Sequence, residues 1–106
     1  MKKVYLFCSA GMSTSLLASN MQKLADEHNF NIEVKAFPIA SLDEVYEKDH
    51  PDCILLGPQV RFAYESTKEK YNKLNTPVGL IDSNDYGTIN GGNVLRLASK
   101  LMKQNS

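Results

Sequence analysis

A chain of 106 residues has room for one compact domain, and residues 1–106 are read as such. Twelve basic residues balance twelve acidic ones with no block of five like charges, which excludes the usual footprint of a nucleic-acid or anionic-membrane surface. The apolar share of 42% against 23% charged is that of an ordinary globular protein, and the first aliphatic run, Val4-Tyr5-Leu6-Phe7, is too short to span a bilayer or to serve as a secretory signal; the expected location is the cytoplasm.

In chain order, residues 4–8 are apolar on both faces, as a central parallel strand requires. Leu17, Met21 and Leu24 then recur at helical spacing, with Ser13 predicted as N-cap and His28-Asn29 as the end. Residues 32–37 alternate apolar and charged, the pattern of an edge strand with one wet face. Ser41-Leu42-Asp43-Glu44 reads as a capping box opening a short helix whose inner face is Leu42, Val45 and Tyr46. Residues 53–56 form a second fully apolar strand, stopped by Gly57-Pro58. A helix follows with Tyr64, Thr67, Tyr71 and Leu74 on one stripe, and residues 78–81 supply a fourth strand. A polar loop is predicted over residues 82–90, and Gly91-Gly92 precedes a last helix with Val94, Ala98, Leu101 and Met102 inward.

Strictly alternating strands and helices with short connections predict an α/β fold: a four-stranded parallel sheet with helices on both faces. The two all-apolar strands belong in the middle and the alternating one at an edge, and the expected order 2-1-3-4 satisfies both conditions. In such a sheet ligands bind at the carboxyl ends of the strands where the order reverses, here between the first and third strands. Cys8 ends the first strand at that point, followed by Ser9, Ala10, Gly11, Met12, Ser13, Thr14 and Ser15, with Gln59 beside it after the third.

No charged side chain occurs from Val4 through Gln22. A loop of small residues and hydroxyls running into a helix offers backbone N–H groups and a positive helix end to an anion, and helix N-termini also stabilise thiolates. A nucleophilic sulfur in a phosphate cradle points to a phosphocysteine intermediate. The spacing matches the C-x₅-R-S/T phosphate loop of low-molecular-weight tyrosine phosphatases, except that Thr14 stands at the arginine position. Without the guanidinium clamp, efficient hydrolysis is disfavoured and a carrier role is expected. A hydrolase or an arsenate-reductase-like enzyme is the alternative; Asp82 and Asp85, in the loop where a phosphatase keeps its general acid, are its best support, although ordinary turn capping is the stronger reading of both.

The run Val4-Tyr5-Leu6-Phe7-Cys8-Ser9-Ala10-Gly11-Met12-Ser13-Thr14-Ser15-Leu16-Leu17 resembles the start of the IIB component of the lactose/cellobiose (N,N′-diacetylchitobiose) family of the sugar phosphotransferase system. So do Leu55-Leu56-Gly57-Pro58-Gln59-Val60 and Ile81-Asp82-Ser83 with Tyr86-Gly87. The resemblance implies a phosphocarrier. A phosphohistidine IIA protein would pass its phosphoryl group to Cys8, residues 9–15 would cradle it, and it would leave for a sugar imported by the membrane component IIC, with which the domain would associate peripherally. An uncharged rim around Cys8 would let both partners approach. Met12, with Leu16 and Leu17, either belongs to that docking surface or folds into the core. Gln59 and Asp82 are possible accessory residues.

Cys53 begins its strand while Cys8 ends another, so the thiols are expected too far apart for a disulfide. His28 and His50 have no ligand spacing and no metal or cofactor is expected. No large apolar stripe remains after the core is assigned, which favours a monomer.

Overall fold

The computed structural model describes residues 1–9 and 12–104, with Met12 as backbone only. Four strands, β1 (Lys2–Cys8), β2 (Ile32–Pro38), β3 (Cys53–Leu56) and β4 (Val78–Leu80), form one sheet in the order β2-β1-β3-β4. All three pairings are parallel. The helices are α1 (Met12–Glu27), α2 (Leu42–Asp49), α3 (Tyr64–Asn72), α4 (Ser83–Gly87) and α5 (Gly91–Gln104), with 3₁₀ turns at Ile39–Ser41 and Pro58–Ala63.

The pleat of β1 divides the core. Val4, Leu6 and Cys8 join Leu17, Met21, Val94 and Ala98 on the α1/α5 side, whereas Tyr5 and Phe7 join Leu42, Val60 and Tyr71 on the α2/α3 side. Both faces of β1 and β3 are therefore dry, which is why these two strands carry unbroken apolar runs. The register pairs Val4 with Cys53 and leaves Cys8 four residues further along β1, about 13 Å away at roughly 3.3 Å per residue. Both cysteines are free and buried, and burial, with Asp52 as a smaller contributor, pushes the Cys53 thiol up to about 12. Cys53 is core.

Local expectations needed correction in four places. Helix α1 already includes Met12, so Ser13 lies in its first turn and does not cap it. Ser41 makes no side-chain cap: the 3₁₀ turn runs straight into α2, with the Leu42 N–H donating to Ile39 O, and the backbone is already turned when it reaches Ser41. Leu74 lies beyond α3 and is exposed, because the chain reverses through a left-handed Asn75 and the Thr76 N–H returns to Tyr71 O. The stretch expected to be a loop over residues 82–90 contains α4, which buries Tyr86.

Candidate functional site at the end of the first strand

Strands β1 and β3 end side by side. The Gly57 N–H donates to Phe7 O at 2.9 Å, which sets Gly57 against Cys8. A Cβ at Gly57 would lie 2.7 Å from the Cys8 sulfur, so only glycine leaves room for the thiol here. Pro58 then starts the 3₁₀ turn that brings Gln59 back over the sulfur.

Cys8 is 2% exposed. Its S–H donates to Gln59 Oε1 at 3.0 Å, with Tyr86 OH at 3.9 Å and Ser9 Oγ at 4.0 Å. Tyr86 OH in turn lies 2.8 Å from Thr14 Oγ1, and both of those side chains are buried. These sulfur neighbours are all uncharged. Thr14, at the position where the phosphatase loop has arginine, is occupied by a contact to a different helix.

Ala10 and Gly11 of the expected phosphate loop lie outside the described residues, as does the Met12 side chain. Ser9, Ser13 and Ser15 are exposed around the strand end and the first turn of α1. Leu17 is fully buried and so belongs to the core, while Leu16 is exposed. Asp82 is the N-cap of α4: its Oδ2 accepts from the N–H groups of Asn84 at 3.0 Å and Asp85 at 3.3 Å. Asp85 accepts from Asn93 Nδ2 at 3.0 Å. Both aspartates thus serve local structure, and neither is among the sulfur's hydrogen-bonding neighbours in the described residues.

Sequence reasoning missed two features. Tyr86 was hidden in a polar stretch, although Asp82 followed by Asp85 is a helix-start pattern and Tyr86 is its lone aromatic. An open groove of about 640 Å³ is lined by Pro58, Gln59, Arg61, Phe62, Ser83 and Tyr86, of which Gln59 and Tyr86 also contact the sulfur. Phe62 is 81% exposed there. Arg61 places a cation in this groove, while the sulfur's partners among the described residues are all neutral.

A family model described as PTS system, Lactose/Cellobiose specific IIB subunit matches residues 3–97. The chain belongs to this IIB family. It is 40% identical over 104 residues to the galactose-specific EIIB component of the phosphotransferase system of Lactococcus lactis subsp. cremoris, covering 95% of this chain and 96% of that protein. Identity is 34% to the oligo-beta-mannoside-specific EIIB component of Bacillus subtilis, over 96% of this chain and 97% of the other. Among solved structures, the cellobiose-specific IIB component of Borrelia burgdorferi superposes with a TM-score of 0.79 at 36% identity, covering 99% of this chain and 94% of that one. The lactose-specific IIB domain of Streptococcus pneumoniae shares the fold, with a TM-score of 0.80 at 19% identity over 94% of this chain and 96% of that one. As a IIB component the chain serves sugar transport through the phosphotransferase system, which agrees with the resemblance read from the Cys8 motif. Among the described residues no helix is long and apolar enough to cross a membrane.

Proposed function

We propose that this IIB component carries the phosphoryl group on the sulfur of Cys8. It takes the group from a phosphohistidine on a IIA protein and delivers it to a sugar of the cellobiose, lactose or chitobiose class held by a IIC permease. The observation that carries this reading is the surround of the sulfur. Among the described residues, a nucleophile at the switch point of the sheet meets only neutral partners, Gln59, Tyr86 and Ser9, beside a helix start that favours a dianion.

In the first step sulfur attacks phosphorus, the nitrogen–phosphorus bond breaks, and the thiol proton ends on the nitrogen that kept the electron pair. In the second, the sugar hydroxyl oxygen attacks phosphorus, the sulfur–phosphorus bond breaks, and the hydroxyl proton returns to sulfur. Residues 9–15 hold the phosphoryl group between the two, chiefly by backbone N–H donors. Among the described residues no guanidinium contacts the sulfur to stabilise attack by water, so the thiophosphate survives until the acceptor arrives. The domain works in the cytoplasm, as a monomer between encounters, and meets the membrane only through IIC.

Intact mass after incubation with a phosphorylated IIA protein tests the reading. The wild type should gain one phosphoryl group and Cys8→Ser none under the same conditions. An adduct that persists in Cys8→Ser would place the phosphoryl group elsewhere and end the proposal.

A further inference from the structure

The phenol of Tyr86 sits between two groups of the site that come from different elements. Its oxygen is 2.8 Å from Thr14 Oγ1 in the first turn of α1 and 3.9 Å from Cys8 Sγ at the end of β1. Thr14 is 3% exposed, Tyr86 8% and Cys8 2%. A buried phenol has one proton to donate, and in the thiol state the Cys8 proton is already directed to Gln59. We infer that Tyr86 is a catalytic residue that donates its hydroxyl proton as a hydrogen bond to the phosphoryl group on Cys8, with Thr14 as the positioning residue that donates to the Tyr86 oxygen.

The separation supports this direction. At 3.9 Å the phenol makes only a weak contact to sulfur, but an oxygen of a phosphoryl group on that sulfur comes within ordinary hydrogen-bond reach, about 2.7 Å. A hydroxyl chain from Thr14 through Tyr86 to the anion polarises each bond in the same sense. It also gives Thr14 a purpose at the position where a hydrolase keeps a cation. The loop recruits a neutral donor from α4, stabilising the dianion less than arginine does and leaving it transferable. Asp82, by capping α4, fixes the backbone that carries the phenol.

The inference rests on the phosphocysteine reading, and the experiment separates the two. Wild type, Tyr86→Phe, Thr14→Val and Thr14→Ser are phosphorylated by a phosphorylated IIA protein. Initial rate, extent of the Cys8 adduct and the ³¹P chemical shift of the phosphocysteine are followed, with thermal melting as a check on folding. Tyr86→Phe should slow uptake about ten- to hundredfold, the loss expected for one hydrogen bond to a charged group. It should also displace the ³¹P resonance while the protein still melts cooperatively. Thr14→Val should reproduce most of that loss and Thr14→Ser should recover it. Wild-type rate and an unmoved resonance in Tyr86→Phe overturn the inference and leave the carrier reading intact; absence of any adduct in the wild type overturns both. If Tyr86→Phe does not fold, the Thr14 pair decides: equal rates for Val and Ser overturn the inference.

Discussion

Gln59 can accept from a thiol, but to serve a phosphoryl oxygen it must turn its amide over and offer Nε2. That makes the residue sensitive to charge and tolerant of truncation. Gln59→Ala should lower the initial rate of phosphoryl uptake modestly, on the order of tenfold for one lost hydrogen bond. Gln59→Glu should lower it further, because it sets a carboxylate against the incoming dianion; an uptake rate for the glutamate variant above that of the alanine variant would contradict this role. Gly57→Ala should destabilise the fold by about 1–3 kcal/mol in urea titrations, since its Cβ would press on the buried Cys8 side chain, which must shift to relieve it. At this scale Cys8 was legible in the sequence, because strand end, small-residue loop and helix start coincide there. Gln59 was legible as a neighbour only. The Thr14–Tyr86 pair was not, because 72 residues separate its members and nothing local to either one signals the other.

The elements that hold the site are joined by a few polar contacts. Asn20 Oδ1 in α1 accepts from the Gly91 N–H at the start of α5 at 2.9 Å, tying together the two helices that cover the Cys8 face. Asn20→Ala removes this tie and leaves the Gly91 N–H its bond to Ile89 O, so it should cost about 0.5–1.5 kcal/mol, read as a lower urea midpoint. Helix α4 depends similarly on its cap. Asp82→Ala should cost about 1 kcal/mol, whereas Asp82→Asn keeps a capping oxygen and should transfer phosphoryl at nearly the wild-type rate. A large loss of transfer in the stably folded asparagine variant would instead assign Asp82 an acid role. The strands and long helices were readable from hydrophobic period, since each buries one face or both. The short elements were not: α4 spans five residues and lacks a full apolar stripe. The supposed capping box at Ser41 failed because a 3₁₀ turn had already fixed the backbone.

For the whole molecule, the observed strand order satisfies what burial demands: two dry strands inside, and the wet-faced one at the edge. That placed the switch point, and with it the site, before any contact was known. The same dry interior sets how stability responds to pH. Burial holds the Cys53 thiol near 12 against an ordinary 9.0, and also raises the phenols of Tyr5 and Tyr71, helped by Glu33 and Asp43 respectively. These groups are neutral when folded and ionise first in the unfolded chain. Their contribution is complete below about pH 9 and is lost as pH rises toward 12. The urea midpoint should therefore fall over that range, and less steeply in Cys53→Ala; parallel slopes would remove Cys53 from the account. The central claim is that the molecule relays a phosphoryl group and does not hydrolyse it. The direct test is the fate of that group when protein phosphorylated on Cys8 is mixed with membranes containing its IIC permease and the transported sugar. Transfer predicts sugar phosphate, formed only when sugar and permease are both present, with little inorganic phosphate in their absence. Prompt release of inorganic phosphate from the isolated protein would contradict it.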